Sequence, residues 1–349
     1  MEKFSNWRDP STGLAPFVYP PPPLSNFRHP ALLSIPFYVL AFLRTISLVG
    51  LALNYLILDQ ALNPMFITSP GLWKFFRSWL SCILGRMALY LLGFTRLPAD
   101  SPFSSLRGIP TRSRVGPGDV IVVNWCSYVD IIYLAYLFDP IFIIPSPSSQ
   151  PQQDHDAIHG FCARSILSLI TTSGHPPSAS DEHTEASEKM PRTLSEWVLR
   201  AKISSQPVVV FPEATTSNNR AILRFVKLTA KLRGTHRQDI RFFCLGFKHE
   251  SPTHFRPSIT CPIPSPFSNL IHILRANFCP ILLPGISPRT FTVRYPKSGP
   301  FVVSSDQKDR DPFGECAEMI SNACKMKQTT KIGWADKAGF LSYVDVRRS

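Results

Sequence analysis

The sequence predicts an α/β fold, a mainly parallel sheet flanked by helices, with membrane-associated helices ahead of it. Three observations predict this. Short β-branched runs alternate with helix-like segments from about residue 115, an almost wholly apolar run covers 31–58, and a shorter apolar run over 79–94 is followed by arginines. The matching division is a Pro-rich tail over 1–30, membrane-associated helices over 31–95, an α/β domain over 96–300 and a C-terminal helix and tail over 301–349.

Residues 1–30 are Pro-rich and polar, with "YPPPPL" at 19–24, and read as an extended tail without a core. The run "ALLSIPFYVLAFLRTISLVGLALNYLIL" at 31–58 exceeds the roughly 20 residues a bilayer requires. Its length and its start some thirty residues in argue against a cleavable signal peptide. Pro36 and Arg44 leave two forms open: one tilted span with Arg44 snorkelling, or a helix broken into a re-entrant hairpin. "WLSCILGRMALYLLGF" at 79–94 is shorter and carries Arg86, so it either spans or lies flat. Trp73 and Trp79, with Lys74 and Arg77 between them, have the character of interfacial anchors. The plainer reading of both runs is a pair of buried core helices. Arg96, Arg107, Arg112 and Arg114 follow, which by the positive-inside rule puts the rest of the chain in the cytosol.

The runs "DVIVVN" (119–124), "PIFIIP" (140–145), "PVVVFP" (207–212) and "IRFFCLGF" (240–247) read as buried strands. Helix-like segments lie between them at 128–138, 157–170, 193–203 and 220–232, and a last amphipathic helix at 315–326 precedes a polar end. Strand and helix in alternation imply parallel strands covered by helices. The polar stretches at 145–156 and 173–192 read as exposed loops.

The net charge of +13 suits an anionic membrane surface or nucleic acid. No arginine-rich tail and no basic stretch interleaved with aromatics is present, which weighs against nucleic acid. Eight cysteines show neither a CxxC pair nor zinc-like spacing, so reduced thiols and no metal site are expected. Cys126 reads as a small buried residue rather than a nucleophile.

Ligands of open α/β sheets bind beyond the carboxyl ends of the strands. Two strands here end in polar text, "NWCSYVD" after the first and "FPEATTSNN" after the third, and parallel neighbours would bring both loops to one rim. The pair resembles the phospholipid/glycerol acyltransferase family. The family's first block is Asn-His, four residues, then Asp; this chain has Asn124, Ser127 and Asp130, with Trp125 where the histidine stands. Its third block is Phe-Pro-Glu-Gly-Thr; this chain has Phe211, Pro212, Glu213, Ala214, Thr215 and Thr216, followed by Ser217 and Asn218. The resemblance covers about 115–290, and the combination is similar to a divergent fungal lysophosphatidic acid:oleoyl-CoA acyltransferase branch. The family's second block, with an arginine for the substrate phosphate, is not recognisable; Arg164 and His175 are nearby cations outside any matching motif.

The resemblance implies the glycerolipid acyltransferase fold and transfer of a long-chain acyl group from acyl-CoA, a co-substrate, to a lysophospholipid such as lysophosphatidic acid. It implies no bound cofactor, membrane lipid as a partner, and a place in the endoplasmic reticulum membrane or on lipid droplets. Asp130 and Trp125 then occupy the catalytic positions, with Asn124, Ser127 and residues 211–216 around the substrate. An indole N–H has no basic lone pair, so Trp125 cannot be the base. Asp130 could act directly, or a histidine of the 155–159 or 175–183 loops could serve. Alternatively the chain is a catalytically inactive relative that binds lipid as a trafficking or droplet factor, or a membrane scaffold. Single residues have plainer readings too. Ser127 and Asp130 form an S-x-x-D capping box, and Thr215 or Ser217 would cap a helix near 220. A carboxylate straight after a buried Val-Val-Val-Phe-Pro strand has no propensity reason to be there, so Glu213 reads as a head-group ligand or a loop-organising acceptor.

Overall fold

The computed structural model describes residues 4–20, 31–97, 115–147, 158–177, 191–233, 239–252, 258–264, 289–296, 298–304 and 310–346. Arg107, Arg112 and Arg114, the prolines at 21–23 and most of the loops expected at 145–156 and 173–192 lie outside the described residues.

The chain opens with two long helices, α1 (Ala31–Thr68) and α2 (Pro70–Leu91), which pack on each other across the break at Ser69. Helix α1 runs through Arg44 without interruption, which removes the broken-hairpin form. Its Val39–Leu62 stretch is long and apolar enough to cross a membrane, with mean hydropathy 1.7 and only 11% of its 18-residue window buried. Arg86 in α2 is spent on the carbonyls of Phe94 and Thr95, at 3.0 and 2.8 Å, closing the turn that ends the helix. Trp79 is exposed as an anchor would be, but Trp73 is buried, with the Arg77 guanidinium 5.0 Å over its ring.

An α/β unit follows: β1 (Val120–Val123), α3 (Tyr128–Phe138), β2 (Ile141–Pro147), β3 (Ile158–Ala163), α4 (Ile166–Thr172), α5 (Leu194–Ile203), β4 (Val208–Val210), β5 (Ala221–Ile222), α6 (Ala230–Arg233) and β6 (Ile240–His249). The chain ends with β7 (Phe291–Arg294), β8 (Phe301–Val303), α7 (Pro312–Cys324), β9 (Lys327–Gln328) and α8 (Trp334–Val346). The main sheet has the order β3-β2-β4-β1-β6-β7, with β8 also on β6. Strands β2, β4, β1 and β6 are mutually parallel, and β3, β7 and β8 join antiparallel.

The period of two along β1 sorts its side chains between two cores. Val120 and Val122 pack with Trp197 of α5 and Phe313 of α7 on one face; Ile121 and Val123 pack with Val129 and Leu134 of α3 on the other. Gly246 in β6 allows α7 to approach, since a Cβ there would lie 2.2 Å from Cys324 Sγ. The helical pair is tied to the sheet unit at Asp139, which ends α3 in the left-handed conformation (φ 42°). Its carboxylate accepts from Ser81 of α2 at 3.0 Å and lies 3.5 Å from Arg77 Nε.

Three expectations are corrected. Residues 157–170 are not one helix: 158–163 form β3 and only 166–172 turn helical. The segment 220–232 is not helical before residue 230, because its backbone bonds elsewhere. Leu223 N–H reaches Glu213, Val226 N–H reaches the Pro212 carbonyl and Thr329 N–H takes the Ile222 carbonyl. Residues 4–20 are not a coreless tail: Phe17 is fully buried with Leu223, Ile332 and Phe340.

Candidate active site

The loops after β1 and β4 meet. Glu213 reaches across the rim, its Oε2 accepting the Trp125 N–H and its Oε1 the Leu223 N–H, both at 2.8 Å. The next two peptide groups, Cys126 N–H and Ser127 N–H, both donate to Asp130 Oδ2 at 2.9 Å. Three successive amides of one loop thus hold the two motif carboxylates next to each other. Burial pushes the Glu213 carboxyl up to about 8, although its two backbone donors oppose the shift.

The capping box at Ser127 and Asp130 is present, with Val129 N–H donating to Ser127 Oγ at 3.2 Å. It does not exhaust Asp130. The second oxygen, Oδ1, lies 2.6 Å from Nε2 of His249, the last residue of β6, and both side chains are buried. His249 stands two residues past the end of the run read as that strand, 119 residues from its partner. The strand-end rule applied to β6, the parallel neighbour of β1, points to it. The histidines expected from the 155–159 and 175–183 loops are not at Asp130 among the described residues. His175 is exposed, and its carbonyl accepts the Thr215 hydroxyl at 2.9 Å.

Other motif side chains are spent on the scaffold. Asn124 exchanges two bonds with the Phe247 backbone, at 3.1 and 2.7 Å, and so extends the β1–β6 ladder. Ser127 Oγ donates to the Ile259 carbonyl at 2.9 Å, and the Thr216 hydroxyl donates to the Cys261 carbonyl. No helix starts near 220 for Thr215 or Ser217 to cap. Trp125 is buried and stacked on Phe211 (centroids 4.9 Å apart, planes at 28°), and Phe211 is stacked on Phe142. The indole is therefore a packing group, its Nε1 without a hydrogen-bond partner. Ala214, where the resembled family has glycine, sits at φ 55°. Cys126 is buried with its thiol pushed well up by burial, an inert thiol as expected.

The polar C-terminal end hides a second unexpected residue. Lys337 of α8 is fully buried, its Nζ donating to Thr215 Oγ1 at 2.8 Å and to the Thr216 carbonyl at 2.7 Å, 5.6 Å from the Phe17 ring centroid. Burial lowers its ammonium to about 7, against the pull of Glu213. Beside the rim, α1 to α4 enclose a cavity of about 150 Å3 lined by Leu48, Leu51, Leu84, Ile132, Ile166 and Ile170, with Tyr128, next to Ser127, at its wall. Among the described residues no group of three or more His, Cys, Asp and Glu is placed to hold a metal.

No family model and no solved structure matches the chain. A curated protein of Schizosaccharomyces pombe named "Putative lysophosphatidic acid:oleoyl-CoA acyltransferase" is 25% identical over 350 residues, 99% of this chain and 98% of that protein. The resemblance runs the whole length. Two short motifs pointed to a divergent fungal acyltransferase branch, and the relative that aligns from end to end carries that name.

Proposed function

We propose that the chain is a membrane-bound acyltransferase that moves a long-chain acyl group from acyl-CoA to a lysophospholipid such as lysophosphatidic acid. The observation that carries the reading is the meeting of the two motif loops. Glu213 bridges to the Trp125 amide, and the adjacent amides hold Asp130. A polar rim of this kind beside an apolar cavity suits a substrate with a charged head and a long chain. The cavity would take part of an acyl chain, and the exposed apolar stretch of α1 would place it in the lipid phase, in the endoplasmic reticulum membrane or at the droplet surface, with the sheet unit in the cytosol.

The reaction joins the acceptor oxygen to the thioester carbonyl carbon and expels the CoA thiolate. Positioning of two bound substrates is a large part of what such a site must supply. Glu213 acts here as the brace that fixes one loop against the other, not as a group that touches substrate. Lys337, buried with its ammonium hydrogens already on Thr215 and Thr216, braces that turn as Glu213 braces the loop after β1, and is not assigned to the acceptor phosphate.

The test is release of CoA thiol from oleoyl-CoA by membranes containing the full chain, with and without lysophosphatidic acid. Release that depends on the acceptor supports the proposal. Acceptor-independent or absent release, with lipid binding retained, would instead fit the inactive lipid-binding relative.

A further inference from the structure

The proposed reaction needs a base, and Trp125 cannot be one. We propose that His249, held by Asp130 at the end of β6, takes the proton from the acceptor hydroxyl in place of the histidine that the resembled family carries at position 125. The inference rests on the acyl-transfer reading above and adds to it the residue that removes the proton.

Three features of the geometry carry it. First, the contact is directional. Asp130 Oδ2 is occupied by two backbone N–H groups, so Oδ1 is the oxygen left to accept, and His249 Nε2 lies 2.6 Å from it. In the neutral ring this fixes the proton on Nε2 and leaves the basic lone pair on Nδ1. Second, Nδ1 has no partner although the ring is buried. An unsatisfied buried acceptor is destabilising, and the neighbouring rings of Phe247 and Phe291 offer no hydrogen bond to offset it. Packing alone gives no reason for an imidazole there. Third, the placement is at the rim. Asn219, from the loop after β4, donates to the His249 carbonyl at 2.9 Å, so the residue is tied to the second motif block as well as to the first.

The proton ledger closes without another reagent. The acceptor O–H gives its proton to Nδ1 as its oxygen bonds to the thioester carbon. The tetrahedral centre then collapses, the C–S bond breaks and the imidazolium returns the proton to the leaving CoA sulfur. Asp130 keeps the ring oriented and stabilises its charged form during the cycle.

His249→Gln separates this role from a structural one, because the amide N–H can still bond Asp130 while no basic nitrogen remains. The full chain in membranes is assayed for oleoyl transfer to lysophosphatidic acid, with folding followed by protease resistance. Wild type transfers, and H249Q is expected to lose about 100- to 10,000-fold in kcat with little change in the KM for oleoyl-CoA. A folded H249Q with near wild-type kcat overturns the assignment of the base and leaves the acyltransferase reading standing. Wild type without transfer overturns that reading, and the base with it. If H249Q does not fold, His249→Asn is judged by the same two constants, and an active, folded H249N overturns the assignment equally.

Discussion

The rim and the helical pair are built with opposite polarity. At the rim, Asp130, Glu213 and Lys337 are each fully buried, and every one of them has named partners within the molecule. On the helices the apolar side chains face outward: Phe42, Ile57, Phe75 and Trp79 are 61%, 67%, 64% and 60% exposed. Ionisable groups are withdrawn from solvent in one region, and large hydrophobes are offered to it in the other. Burying a charge is tolerable only with dense hydrogen bonding, and a large outward apolar face is stable only against an apolar phase. The contrast teaches that the two regions suit different surroundings, an apolar one around the helices and a water-excluded interior at the rim.

The largest effect that would break this comparison is on the helices. Phe42→Asp with Ile57→Asp puts two carboxylates on the outward face of α1, each worth about 2.5–3.5 kcal/mol at a bilayer centre. The double variant should leave the membrane pellet on sedimentation, and unchanged pelleting would remove the lipid-facing half of the contrast. At the rim, Glu213→Gln replaces one of two accepting oxygens by a donor that faces a backbone N–H. It should cost about 1–3 kcal/mol in denaturant unfolding and lower transfer with it; an unchanged midpoint would show that the brace is not structural.

The pH dependence sharpens the same point. The folded Lys337 ammonium is held near 7 against an ordinary 10.5, so the unfolded chain binds more protons between those values. Stability from this group is present above 10.5 and falls as pH drops towards 7. Lys337→Met should flatten that limb of the thermal-melt profile. Glu213, raised from 4.5 to about 8, acts in the other direction, with its contribution present below 4.5 and lost as pH rises to 8. Glu213→Gln should flatten that fall. The smallest change is Ala214→Gly, which relieves the left-handed backbone at φ 55° and should raise stability by about 1 kcal/mol at most.

What the sequence made legible was what lies in linear order. The strands of the parallel core, the two polar strand ends and the long apolar helix all stand in unbroken runs of text. Residues 158–163 and 220–232 misled because apolar spacing compatible with a helix was met by partners from elsewhere. Phe161 exchanges backbone bonds with Arg192, and Leu223 donates to Glu213. No local propensity carries that information. His249 and Lys337 were illegible for the same reason, since each reaches its partner across more than a hundred residues. The position of His249, though not its partner, carries a signal, since it stands two residues past an apolar run that reads as a strand. The lysine had none, because a polar C-terminal stretch reads alike whether it is solvated or buried.

The central claim is that this rim performs acyl transfer with the Asp130–His249 pair. The most direct measurement is formation of labelled phosphatidic acid from labelled oleoyl-CoA and lysophosphatidic acid by membranes bearing the wild-type chain, run beside Asp130→Asn. The account predicts labelled product from the wild type and a loss of about 100-fold or more in the variant. Equal product from both, or none from wild type with any lysophospholipid, would contradict it.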